Sequence, residues 1–162
     1  MFTKALIIAL VALSVSTPSQ AADAARQYVP APPPAGNGPA IPFSPGVMVD
    51  GTFYVAGHLG LDPATQKAPA NLDTEAHLVL DAVSQTLKQA GLSMDDLVSV
   101  TVYCADLSLY DAFNTVYRSY FHGQYPARAF IGVNQLLRGA HFEVAGIAVK
   151  SRAADRPASG KP

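Results

Sequence analysis

The chain has 162 residues, 49% of them hydrophobic and 14% charged, with a formal net charge of −1. Near-neutral charge without a Lys/Arg cluster argues against a phosphate-binding footprint, so nucleic acid is not an expected partner. The single cysteine, Cys104, excludes an intrachain disulfide.

In chain order, Lys4 precedes an apolar run from Ala5 to Val15 and then small residues up to Ala21. The run is too short to span a bilayer comfortably and matches the apolar region of a secretory signal peptide. Residues 1–21 are therefore expected to be a signal peptide. The mature protein is expected to be periplasmic or secreted, with no membrane partner after cleavage. Residues 22–38, rich in Pro and Ala, read as an extended or disordered linker that cannot bury a core. Residues 39–150 form one predicted domain, and residues 151–162 a disordered tail.

Within the domain, the runs VMV and TFYVAG read as two strands joined by a tight turn at Asp50 and Gly51. A helix follows from about Thr74 to Ala90, with Ala76, Leu80, Val83, Leu87 and Ala90 on one stripe and Gly91 as its stop. LVSVTVYC is the third strand; Val98, Val100, Val102 and Cys104 share a face, so Cys104 reads as a buried small hydrophobe. Ser108 is the expected cap of a second helix, which runs to about His122. That helix carries two stripes. Leu109, Phe113, Val116 and Tyr120 suit a core, while Tyr110, Asn114, Tyr117 and Phe121 must cover something else, either a subunit interface or a wider intramolecular core. ARAFIGVNQ and HFEVAGIAVK are two further strands. The order β-β-α-β-α-β-β predicts an α+β fold, a mixed β-sheet with two helices on one face.

Two sets of residues bear on chemistry. His58, His77, His122 and His141 show no short ligand spacing, so no metal is expected. Arg128 follows a Tyr-Pro-Ala turn and leads into the apolar Ala-Phe-Ile-Gly. Such a cation either leaves its head in water or has it paired. Residue type alone leaves open a snorkelling side chain and a clamp for a ligand's carboxylate.

The segments PFSPGVMVDGTFYVAG, DPATQK, QAGLSMDDLVSVTVYCADL, FNTVYRSYF, YPARAFIGV and FEVAGIAVK occur in that order. Together they resemble the Rid family (reactive intermediate deaminase, formerly YjgF) over roughly Pro39 to Lys150. The resemblance implies a single-domain chorismate-mutase-like fold, a homotrimer with ligand sites between subunits, and no cofactor. It also implies hydrolysis of reactive 2-imino or 2-enamino acids to 2-keto acids and ammonia. In the family the arginine of the Pro-Ala-Arg motif binds the substrate carboxylate, and Arg128 matches it; Asn114 matches a polar pocket residue. Other matching positions depart from the pattern. The pocket tyrosine falls on Phe43, the serine before a glycine on Ala56, the cysteine after the arginine on Phe130, and the glutamate that positions water on Ala145. Glu143, about 6–7 Å along the same strand face, and His58, which titrates near neutrality, are the replacement candidates for proton transfer. The expected partner is a small imino, enamino or keto acid; the alternative is a non-catalytic homotrimer that binds small carboxylates on the same scaffold.

Overall fold

Asp50 and Gly51 reverse the chain with φ of 48° and 76°. This left-handed pair suits a two-residue hairpin turn, and Val49 lies opposite Thr52. The hairpin belongs to a computed structural model that describes residues 25–33 and 39–150. The expected signal peptide, the expected tail at 151–162 and linker residues 22–24 and 34–38 lie outside the described residues.

The elements run β1 (Gln27–Tyr28), β2 (Gly46–Val49), β3 (Thr52–Leu59), α1 (Leu72–Gln89), β4 (Leu97–Cys104), α2 (Tyr110–Arg118), β5 (Ala127–Gly132) and β6 (Phe142–Val149). They form one sheet in the order β1-β2-β3-β6-β4-β5. Neighbours are antiparallel except β4 and β5, which run parallel and are joined through α2. The architecture is the expected α+β one, with a mixed sheet and two helices packed on one face. The last strand in sequence, β6, is a central one.

Alternation sorts each strand into two faces. Phe53, Val55, Val100, Val102, Phe142 and Val144 are buried beneath α1 and α2. Among the described residues the other face carries no helix. Rows of residues cross it, among them Leu59, Glu143, Tyr103 and Ile131, or Ala145, Thr101 and Ala129, each residue paired with the next. On this open face Tyr54 is 50% exposed and Ile131 and Val149 are 42% exposed.

Helix α1 buries Ala76, Leu80, Val83 and Leu87 as its stripe requires, and Asn71 caps it by accepting from the Thr74 amide at 2.8 Å. Its first turn holds Glu75, fully buried. One Glu75 oxygen accepts from the His141 and Phe142 amides at 2.6 and 3.0 Å, and the other lies 2.8 Å from His141 Nδ1. This carboxylate ties α1 to the entry of β6.

Four local expectations change. The linker does reach the core: Gln27 and Tyr28 pair with β2, and Val29 is buried. Val98 leaves the buried face of β4 because the register shifts between Leu97 and Ser99, which puts Leu97 inside and Val98 outside. Asp106, not Ser108, opens the second helical segment; its carboxylate accepts from the Ser108 amide at 2.9 Å. A short 3-10 turn then leads into α2, which ends at Arg118 rather than near His122.

Candidate functional site

Arg128 lies opposite Val100, so its side chain rises on the helix-covered face at the edge of the sheet, beneath α2. Asn114 and Tyr117 stand three residues apart on α2 and share a face. Both are buried and both meet Arg128. The Asn114 Oδ1 accepts from the arginine Nη2 at 2.8 Å. The guanidinium carbon sits 4.5 Å from the Tyr117 ring centroid, 5.8 Å from that of Tyr110 and 5.7 Å from that of Phe130. A cation over aromatic faces gains about 0.5–2 kcal/mol and is held flat. No carboxylate pairs with Arg128 among the described residues.

The guanidinium is therefore neither free in solvent nor neutralised. It forms one wall of a cavity of about 240 Å³ between α2 and the entry to β5, with Tyr110, Asn114, Tyr117 and Arg118 on one side and Tyr125 and Pro126 on the other. Of the second stripe, Tyr110, Asn114 and Tyr117 line this cavity, while Phe121, past the end of α2, packs against the Tyr117 ring. Phe130 packs edge-on against Tyr110, with ring centroids 4.9 Å apart. Burial pushes the Tyr117 phenol up to about 12, although the Arg128 charge pulls the other way. Chemically, this is a fixed, planar, donor-only group in an apolar cleft. It suits a small planar anion.

The other candidate residues lie elsewhere in the chain. Glu143 stands on the open face of β6, opposite Tyr103 and Leu59. Burial raises its carboxyl above the usual range. Gly57 gives it room, since a side chain there would run into the Glu143 carboxylate. Ala145 shares that face, paired with Thr101. Ala56 sits at the irregularity between Val55 and His58, its amide bonded to the Pro45 carbonyl at 3.0 Å. Phe43 is exposed ahead of β2, across the sheet from β5.

His58 turns under α1 instead, with Nε2 at 3.1 Å from Thr86 Oγ1. Burial lowers its pKa, partly offset by a hydrogen bond to the Pro45 backbone. Three strand spacings, about 14 Å, separate β3 from the Arg128 strand. Cys104 is wholly buried with its Sγ at 3.0 Å from the Asp106 carbonyl, and burial pushes the thiol up. One chain thus brings together Arg128, Asn114 and Phe130, while Glu143, Ala145, Ala56, Phe43 and His58 stand apart from them. Sequence reasoning missed Tyr117 as the partner of Arg128 and Tyr125 as a wall of its cavity. The aromatic stripe on the second helix was the available signal, but its counterpart across the sheet was not visible.

Residues 35–150 match the family model described as Endoribonuclease L-PSP. A 2-iminobutanoate/2-iminopropanoate deaminase of Capra hircus is 40% identical over 110 residues, covering 67% of this chain and 80% of the relative. The structure of Escherichia coli TdcF with bound serine is similar at a TM-score of 0.66 and 31% identity, over 70% of this chain and 92% of that one. RidA from the Antarctic bacterium Psychrobacter gives a TM-score of 0.64 at 32% identity, over 72% and 92% of the two chains.

Proposed function

Since the chain belongs to the Endoribonuclease L-PSP family, which includes the Rid (YjgF) proteins, we propose that it hydrolyses reactive 2-imino and 2-enamino acids to 2-keto acids and ammonia. The observation that carries the reading is the Arg128 guanidinium, held by Asn114 and aromatic faces with no carboxylate of its own. Two parallel charge-assisted hydrogen bonds from its fork would fix the substrate carboxylate in position and in plane. C2 is then presented to water at a defined place. Water adds to C2, the imine nitrogen takes a proton, and the resulting carbinolamine collapses to keto acid and ammonia.

Proton transfer needs a further group, and in this reading Glu143 of a neighbouring copy supplies it. Support comes from the open sheet face, whose exposed Tyr54, Ile131 and Val149 call for cover. Support comes also from the split of the candidate residues between two faces, which leaves each chain's site incomplete. The assembly is a homotrimer with the Arg128 clefts at its subunit boundaries, in an exported protein that uses no metal or organic cofactor. Phe43, Ala56, Phe130 and Ala145 line the site as apolar contacts for the substrate. His58 has a packing role beside Thr86 rather than a chemical one.

Ala145, in place of the expected glutamate, favours one second reading: a trimer that binds small keto or imino acids without turning them over. RNA cleavage has less support, since a chain of net charge −1 with two arginines, Arg118 and Arg128, at a cavity otherwise walled by aromatic and neutral residues gives a phosphate backbone no row of partners.

The test is keto-acid release from 2-iminopropanoate generated in situ, with Arg128→Ala beside the unaltered protein. Acceleration that disappears in Arg128→Ala establishes the deaminase. Saturable keto-acid binding that depends on Arg128, without acceleration for small or bulky imino acids, establishes the binding protein instead.

A further inference from the structure

Tyr117 is 4% exposed, and its hydroxyl is enclosed without a hydrogen-bond partner. Among the described residues it is the side-chain polar atom left in that condition. Its surroundings explain why. The Phe113, Phe121 and Tyr125 rings lie 5.8, 4.7 and 6.4 Å from its own, centroid to centroid, and the Arg128 guanidinium covers its face at 4.5 Å. The two phenylalanine rings carry no acceptor, the Tyr125 hydroxyl does not pair with it, and the Arg128 guanidinium, whose N–H groups lower the phenol's pKa from close by, carries donors only. A buried hydroxyl in this state disfavours folding, and a phenylalanine would fill the same space without that cost. The hydroxyl therefore calls for an acceptor that the folded chain does not itself provide.

A ligand of the Arg128 cleft provides one. When the guanidinium fork takes both carboxylate oxygens, the remaining acceptor on a 2-keto or 2-imino acid is the oxygen or nitrogen on C2. We propose that the Tyr117 hydroxyl is a second ligand donor of the cleft, hydrogen-bonding the C2 heteroatom of a 2-keto or 2-imino acid whose carboxylate Arg128 holds. The inference rests on the Arg128 reading above and adds a residue to it. Tyr117 lines the cavity already, three residues along α2 from Asn114. Of the rings around it, Tyr125 is 57% exposed, so it is the one free to swing and uncover the hydroxyl. Held near 12 by burial, the phenol stays protonated at ordinary pH and acts as a donor, not a base. A donor at that atom draws electrons from C2, the carbon that water attacks.

The experiment compares two acids that differ only at C2, pyruvate and propanoate. Their affinities for the full chain are measured by titration calorimetry for the unaltered protein, Tyr117→Phe and Arg128→Ala, alongside the thermal midpoint of each without ligand. Tyr117→Phe is expected to weaken pyruvate roughly three- to tenfold, leave propanoate unchanged, and raise the ligand-free midpoint. Arg128→Ala is expected to weaken both acids. A Tyr117→Phe protein that binds pyruvate as before, or loses the two acids equally, overturns the role of Tyr117 while the arginine clamp stands. Binding of neither acid by the unaltered protein, or binding indifferent to Arg128→Ala, overturns the clamp and the inference with it.

Discussion

Arg128 and Glu143 occupy opposite faces of one sheet, on strands separated by β4. Two strand spacings put about 10 Å between them before the faces are counted, so no small ligand touches both in one chain. The proposed chemistry then depends on assembly. Tyr54→Glu, on the open face, is expected to convert the protein from trimer to monomer in sedimentation with its circular dichroism unchanged. Keto-acid release should fall with it by about a hundredfold, as when a positioned proton-transfer group is lost. An unaltered protein that sediments as a monomer with full turnover would sink this arrangement.

The fork geometry of Arg128 has its own signature. Arg128→Ala should lower kcat/KM for imine hydrolysis by roughly 10–100-fold, the scale of charge-assisted hydrogen bonds. Arg128→Lys keeps the charge and loses the planar fork, so it should fall between the two. Asn114→Ala, which frees one edge of the guanidinium, is expected to lose less than either. Steady-state kinetics on the four proteins gives the ranking, and an Arg128→Lys variant equal to the original would rule out a bidentate grip.

Two half-buried titratable groups give stability a pH dependence of opposite sign. Burial lowers His58 below 6.5, so the unfolded chain holds that proton more tightly. Stability is lost as pH falls from about 6.5 toward the folded-state value. Burial raises Glu143 above 4.5, so here the folded chain holds the proton more tightly. Stability is lost as pH rises from 4.5 through its folded-state value. Urea midpoints across this range should lose their acid-side decline in His58→Gln and their rising-pH decline in Glu143→Gln. Identical profiles for all three proteins would refute both assignments.

Glu75 separates an acceptor role from a charge role. One of its oxygens receives both the His141 and Phe142 amides. Glu75→Gln retains a carbonyl oxygen for that task and should cost less than about 1.5 kcal/mol. Glu75→Ala leaves two buried amides without a partner, and should cost about 2–5 kcal/mol in denaturant unfolding. Equal losses in the two variants would show that the amides are not what the carboxylate serves.

Local signals were readable where one residue type has one physical use. Asp50 and Gly51 marked their hairpin because left-handed φ favours them, and the α1 stripe from Ala76 to Leu87 followed from its spacing. Arg128 was legible as an anomaly, a cation entering an apolar strand. What it meets was not. Tyr117 comes near it only through the parallel crossover from β4 through α2 to β5, and periodicity carries no information about which rows oppose each other across layers. Val98 turned outward because a one-residue register shift reverses faces without any Gly or Pro to announce it. Val29 shows the limit of composition: a Pro- and Ala-rich stretch reads as a linker, yet one apolar residue within it finds a vacant edge of the core. Glu75 carries no local signal beyond its place in the first turn of α1, and its burial depends on an entry to β6 that lies 66 residues away.

The position of β6 also governs when this protein can exist as a folded body. Of the described strands Phe142–Val149 is the last to leave the ribosome, yet it lies between β3 and β4 and pairs with both. Until it arrives, the earlier strands form two separate half-sheets with facing raw edges, and the buried faces of Phe53 and Val102 lack their common neighbour. Closure of the sheet therefore waits for β6. A chain cut shortly before Phe142 keeps two half-sheets with no strand to join them, and so no shared core.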